Sequence, residues 1–141
     1  KKGACRRRPC SSGEMIFIMI AFLGTGIDLM EIDEFRNQYD LDLESELFSD
    51  RERASMPRSI ESIAARFCAK EAFVKAISPL GIGKDWHDFE VVSDESGAVH
   101  FRLSEKITKV LKKFGKVHVS LSLTHTQATA GASVVLLLTA A

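Results

Sequence analysis

The segment Ala65-Arg66-Phe67-Cys68-Ala69-Lys70-Glu71-Ala72-Phe73-Val74-Lys75-Ala76 decides the reading of this chain, because it sets a carboxylate where a helix should be apolar. Taken as part of a helix from Ile60 to Ile77, it lines up Ile60, Ile63, Ala64, Phe67 and Val74 on one apolar stripe. Glu71 falls on that stripe, one turn after Phe67 and one turn before Val74, and is expected to point inward. A buried unpaired carboxylate costs several kcal/mol or takes up a proton, so it calls for a metal ion or a basic side chain beside it. The same spacing also allows a plain core acid paired with Lys75 at i,i+4.

A second run, Gly24-Thr25-Gly26-Ile27-Asp28-Leu29-Met30-Glu31-Ile32, follows the apolar residues Met15 to Leu23. That apolar run is too short to span a bilayer and long enough for a buried strand. The glycines predict a tight turn at the strand's end, with Asp28 just beyond it facing the crevice at the sheet's carboxyl edge. Asp28 is thus a candidate ligand. Asp28 and Glu31 also have capping-box spacing, which leaves a simple cap of the next helix as the alternative.

Two further stretches complete the pattern. Val117-His118-Val119-Ser120-Leu121-Ser122-Leu123-Thr124-His125-Thr126 reads as a late strand ending in S-L-T-H-T, and Gly81-Ile82-Gly83-Lys84 precedes Trp86, Asp88, Phe89 and Glu90. The G-x-G-I-D-x-x-E-I run and the A-R-F-x-A-K-E-A-F-x-K-A run, with these two, resemble the holo-acyl-carrier-protein synthases, the small bacterial class of 4'-phosphopantetheinyl transferases. The resemblance extends over roughly Ile16 to Leu138, nearly the whole chain outside its tail.

That resemblance implies an enzyme that moves the phosphopantetheine arm of coenzyme A onto a serine of an acyl carrier protein, releasing 3',5'-ADP, in support of fatty acid biosynthesis. Attack on an already charged pyrophosphate asks a protein for positioning and charge neutralisation rather than covalent work. By resemblance Asp28 and Glu71 hold one Mg2+, a hard ion that takes oxygen ligands and keeps several waters. Lys75 is expected to reach the pyrophosphate or the attacked oxygen. Lys70 matches the motif too, although its position about 100° from Glu71 around the helix leaves a solvated lysine or a salt bridge as an equal alternative. Arg58 and Arg66 occupy places where the family carries basic residues near the adenosine 3'-phosphate, and Thr124, His125 and Thr126 would donate hydrogen bonds to phosphate. The proton of the attacking serine would pass to a metal-bound water or to one of the carboxylates, and the sequence leaves both open. A catalytically silent coenzyme A or carrier-binding module is the alternative reading.

Composition is that of an ordinary globular protein: 141 residues, 45% hydrophobic and 27% charged. Its 19 basic and 19 acidic residues hide an asymmetry, because residues 1–14 hold five Lys/Arg and one acid, leaving a mildly acidic body. No basic stripe is present in that body, so nucleic-acid binding is not expected. Residues 1–14 read as a disordered tail or expression remnant, and 15–141 as one transferase domain. A basic stretch followed by nine apolar residues has the order of a secretory signal, but no A-x-A cleavage site follows Leu23. Cys5, Cys10 and Cys68 make neither a disulfide framework nor a metal cluster. A cytoplasmic protein without membrane attachment is expected.

The predicted order is the first strand, a short helix Glu31–Gln38, a charged helix Leu43–Ala54, the long helix capped by Ser59, and a loop Ser78–Asp85. A hairpin then follows, Phe89–Ser93 and Val99–Leu103 about the turn Asp94–Gly97, and after it a helix opened by Ser104 and strands Val117–Leu123 and Gly131–Leu138. The fold class is α+β: an antiparallel sheet with helices packed on one side, including one long central helix, as in the 4'-phosphopantetheinyl transferase fold. The apolar last strand suggests burial on both faces, either inside the monomer or against a partner subunit. The family resemblance implies a homotrimer with active sites between protomers. One departure bears on carrier docking: the first helix reads Glu31-Ile32-Asp33-Glu34-Phe35-Arg36, where family members present basic residues, which leaves hydrophobic recognition, Arg51 and Arg53, or the carrier domain of a large synthase.

Overall fold

The computed structural model describes residues 17–83 and 85–140. The expected tail at 1–14 and Lys84 of the glycine loop lie outside the described residues. Strand β1 runs from Ile20 to Glu31, straight through the two glycines where a turn was predicted. The reason is close packing. A Cβ at Gly24 would stand 2.2 Å from the carbonyl oxygen of Ala76, and one at Gly26 would stand 1.7 Å from that of Ala72. Glycine is therefore what lets the long helix lie directly on the strand.

Helix α1, Ile32–Gln38, starts after Glu31 with no side-chain cap, so the capping role considered for Asp28 is not made. The single charged helix expected next is two helices, α2 (Leu41–Leu47) and α3 (Asp50–Ser55). Ser49 divides them, because its hydroxyl and the Glu52 carboxylate form a reciprocal capping box that starts a new helix. Helix α4, Ile60–Ile77, has the predicted bounds, and the Ser59 side chain accepts a hydrogen bond from the Ser62 amide at its start.

Strand β5 (Thr129–Thr139) lies at the centre of a three-stranded antiparallel sheet ordered β1-β5-β4, with β4 spanning Lys116–His125. Its Ala132 pairs with Asp28 on one side and Leu123 on the other. The hairpin β2 (Phe89–Ser93) and β3 (Val99–Leu103) is a separate two-stranded sheet. It packs on α4 through Phe73, whose ring lies 4.7 Å from Phe89 and 4.9 Å from Phe101. Helix α5, Glu105–Lys112, is capped by Ser104 as expected and buries Ile107 and Leu111.

Because α4 touches both sheets, its buried set wraps most of its circumference: Ala65, Cys68, Ala69, Ala72, Phe73 and Ala76 among others. The stripe that contains Phe67, Glu71 and Val74 is the half-buried flank, not the core face. A helix buried on two sides has no single apolar face, so periodicity selected the wrong one. Strand β5 is buried on one face only within its own chain, which does not bear out the reading that the monomer alone covers both faces. Val134, Leu136 and Leu138 are buried under α4, whereas Val135 on the opposite face is 42% exposed in the single chain.

Candidate active site

Asp28 sits late in β1, where alternation turns its side chain toward α4. In the last turn of α4, Lys75 reaches across the seam, and its Nζ donates to Asp28 Oδ1 at 3.0 Å and to the Ile27 carbonyl at 2.8 Å. The i,i+4 pair between Glu71 and Lys75 that the spacing also allowed is not made among the described residues. Glu71 is half-buried on the turn before Lys75, and among the described residues no hydrogen bond or ion pair holds its carboxylate. Cys68, one turn earlier again and fully buried, reports how closely these charges gather. Burial first, then the Asp28 and Glu71 carboxylates, push its thiol up to about 12, with Lys75 opposing.

The seam between β1 and α4 thus brings together the three residues expected to carry the chemistry. The fit to Mg2+ rests on donor type. Asp28 and Glu71 offer hard oxygen donors, the kind this ion takes together with waters and substrate phosphates. Among the described residues no group of three or more His, Cys, Asp or Glu is placed to cage a metal. Two carboxylates plus outside ligands is the arrangement they permit.

Lys70 is a correction as a coenzyme contact, and the salt bridge left open as its alternative is what forms: its side chain is fully buried, and Nζ donates to Glu52 Oε1 at 2.8 Å, the Trp86 carbonyl at 2.7 Å and the Phe89 carbonyl at 2.9 Å. All three ammonium donors are spent inside the protein. Burial lowers its pKa while the Glu52 carboxylate opposes that shift. Lys70 ties α3, the short 3-10 turn Trp86–Asp88 and β2 to α4, so it supports the scaffold.

Arg66 is also largely buried, and burial lowers its pKa. Its guanidinium donates to the Val91 carbonyl at 3.2 Å and to Ser93 Oγ at 2.9 Å. It shares a groove of about 360 Å3 with Pro57, Ser62, Ser93, Leu123 and His125, so the structure brings Arg66 and the exposed His125 together. Thr124 lies apart, in a smaller pocket of about 170 Å3 beside Asp28, Gly131 and Ser133. Thr126 closes the β4–β5 turn, its hydroxyl oxygen accepting from the Ala128 and Thr129 amides at 3.2 and 3.1 Å. Arg58 is held elsewhere, 2.6 Å from Glu44 Oε1, which also accepts from the Tyr39 hydroxyl. Burial pushes the Glu44 carboxyl up, but Tyr39 and Arg58 together more than offset it and leave the pKa lowered.

Sequence reasoning did not find Glu52, Glu44 or Ser93. The S-x-x-E spacing of Ser49 and Glu52 was an available signal for a helix start, but nothing in the pattern points to Glu52 as the partner of Lys70. No helix among the described residues is long and apolar enough to cross a membrane.

Two acids and a lysine on one seam, with an arginine and a histidine in a nearby groove, are groups able to position and neutralise a phosphate-bearing ligand. Residues 24–133 match the family model of the 4'-phosphopantetheinyl transferase superfamily, and the chain belongs to that family. The holo-[acyl-carrier-protein] synthase of Halalkalibacterium halodurans is 37% identical over 126 residues, covering 81% of this chain and 94% of its relative. The apo-ACPS structure from Chronobacterium superposes with a TM-score of 0.71 at 29% identity, over 83% of this chain and 97% of that one. The ACPS–CoA complex of Chronobacterium ammoniagenes superposes with a TM-score of 0.68 at 28% identity, over 83% and 98% of the two chains.

Proposed function

We propose that this chain is a holo-[acyl-carrier-protein] synthase: it transfers the 4'-phosphopantetheine arm of coenzyme A to a serine of an apo acyl carrier protein and releases adenosine 3',5'-bisphosphate. The observation that carries this reading is the Asp28–Lys75 pair at 3.0 Å beside the Glu71 carboxylate, which has no hydrogen-bond or ion-pair partner among the described residues. The serine oxygen forms a bond to the phosphorus that bears the pantetheine arm, the bridging P–O bond breaks, and the electron pair leaves with the bisphosphate. The serine proton passes to a water or to a carboxylate at the seam. Mg2+ held by Asp28 and Glu71 would supply neutralisation of the pyrophosphate charge when bound. Lys75, 53% exposed at its side chain, is free to turn from Asp28 toward a phosphoryl oxygen. Arg66 and His125 would flank the nucleotide end in their shared groove, and Arg58 and Thr124 would meet it only if the coenzyme extends beyond that groove.

The apolar outer face of the sheet supports a homotrimer with active sites between protomers. Ile27 and Leu29 are each 72% exposed, and Leu23 and Val135 continue the patch. Such a face is one that a second copy would cover. Fatty acid biosynthesis in the cytoplasm is the setting this activity implies. The test is incubation of the chain with coenzyme A, Mg2+ and a panel of apo carrier proteins, following carrier mass, with Asp28→Ala and Glu71→Ala beside the parent. A gain of one phosphopantetheine arm that needs the metal and both acids supports the assignment. A parent that binds coenzyme A but modifies no carrier would turn it into a binding module.

A further inference from the structure

Strand β2 pairs with β3 alone, so its other edge carries backbone groups that no strand answers. Buried groups on such an edge must find other partners. Three charged side chains supply them. Lys70 Nζ donates to the Phe89 carbonyl at 2.9 Å, Glu52 Oε2 accepts from the Val91 amide at 2.9 Å, and Arg66 Nη1 donates to the Val91 carbonyl at 3.2 Å. Arg66 Nη2 then reaches Ser93 Oγ at 2.9 Å, two residues further along the same strand.

Val91 is therefore held at both of its backbone groups, by Glu52 from α3 and by Arg66 from α4. Glu52, Lys70 and Arg66 are all buried, and Glu52 Oε1 already serves Lys70 at 2.8 Å. One carboxylate thus answers two cations, and one positive charge is left over. Arg66 has no ion-pair partner among the described residues, and both of its hydrogen bonds go to neutral oxygens. It lines the groove of about 360 Å3 together with Ser93 and His125. A buried cation without a carboxylate of its own favours an anion that arrives from outside.

We propose that Ser93 and Glu52 are positioning residues for Arg66, fixing its guanidinium on the free edge of β2 to meet a phosphate group of the coenzyme. The inference rests on the reading above that the nucleotide end lies in this groove. Ser93 acts directly, through its hydroxyl. Glu52 acts through the Val91 amide, and so sets where the Val91 carbonyl stands under Arg66. Recognition of this kind needs donors placed to within about half an ångström by side chains that are themselves locked. A loose arginine would lose its rotamer freedom at every binding event, whereas a clamped one has lost it already on folding.

The test compares the parent with Ser93→Ala, Ser93→Thr, Arg66→Gln, Ser93→Ala/Arg66→Gln and Lys70→Met/Glu52→Leu. The last of these removes the acceptor of the Val91 amide while replacing a buried ion pair by apolar side chains, a change that folds commonly tolerate. Transfer kinetics, calorimetric binding of adenosine 3',5'-bisphosphate and melting temperature are measured for each. Arg66→Gln should raise the coenzyme A KM and the bisphosphate Kd about tenfold or more. Ser93→Ala should raise both about threefold with kcat and acceptor KM within about twofold, and Ser93→Thr, which keeps the hydroxyl, should restore them. Lys70→Met/Glu52→Leu should also raise both about threefold or more at temperatures where it is folded. On the Arg66→Gln background Ser93→Ala should add nothing, because it acts only through the guanidinium. An equal rise on that background makes the hydroxyl a coenzyme contact and overturns the proposal. Unchanged KM and Kd in Ser93→Ala and Lys70→Met/Glu52→Leu, with only the melting temperature lowered, leaves a scaffold role and overturns it as well. If Arg66→Gln binds the bisphosphate as the parent does, the nucleotide end is elsewhere and the proposal falls with that reading. A parent that shows the expected Kd pattern but transfers nothing keeps the proposal and sinks the transferase reading.

Discussion

The Lys70 ammonium and the Glu52 carboxylate stand 2.8 Å apart with both side chains shut off from solvent. Removing one charge strands the other. Lys70→Met leaves Glu52 buried with only the Val91 and Ser49 amides to answer it, and is expected to cost about 3 to 5 kcal/mol. Adding Glu52→Gln should recover part of that loss, because the uncompensated charge disappears while the amide acceptor remains. Urea unfolding of the two single variants and the double gives the coupling. Additive losses would mean that the pair contributes nothing as a pair.

Gly26 answers to geometry alone. A Cβ at this position would sit 1.7 Å from the Ala72 carbonyl oxygen, so Gly26→Ala must push α4 off β1. The expected loss is about 3 kcal/mol or more, and because Asp28 and Lys75 bridge the same seam, transfer activity should fall with it. Gly83→Ala is the control, since nothing lies within 4 Å of its Cβ. Equal melting temperatures for the two variants would refute the close-packing account.

Glu44 gives the fold a pH dependence whose sign is fixed. Burial raises its carboxyl, but Tyr39 and Arg58 outweigh this and hold it below its ordinary 4.5. A carboxyl lowered on folding stabilises above its unfolded value and loses that contribution as pH falls through the folded one. Glu44→Gln should therefore lower the melting temperature at pH 7 and narrow the gap from the parent below about pH 4. The measurement is a set of melting curves from pH 7 down to pH 3. A constant gap at every pH would show that the charge is not what matters.

How much of this was legible in the sequence depends on whether a residue speaks through local period or through a distant partner. Ser59 and Ser104 marked the starts of α4 and α5, and the Asp94–Gly97 turn marked the hairpin, because caps and turns are local chemistry. Asp28, Glu71 and Lys75 were found by motif, and the seam gathers them. The glycines of β1 were misread because a mid-strand glycine and a turn glycine look alike until the helix that approaches them is known. Lys70 and Glu71 were interchanged in burial for a related reason: a helix packed on both sides hides its lysine when a partner 18 residues away, on another helix, supplies the charge. No periodicity encodes that distance.

Lys75 separates catalysis from stability at one position. Its bond to Asp28 joins a side chain 53% exposed to one 17% exposed, and a pair so open to solvent contributes up to about 1 kcal/mol to folding. Lys75→Met should therefore melt within a few degrees of the parent. Transfer is another matter on the reading proposed above, since the ammonium would supply positive charge where negative charge builds on the phosphoryl group. Loss of such a preorganised donor lowers kcat about a hundredfold or more. Coenzyme A KM should change far less, because Arg66 and His125 lie in a different groove. Parallel rises in KM with kcat untouched would assign Lys75 to holding the coenzyme, and a large drop in melting temperature would make Asp28–Lys75 a structural clasp.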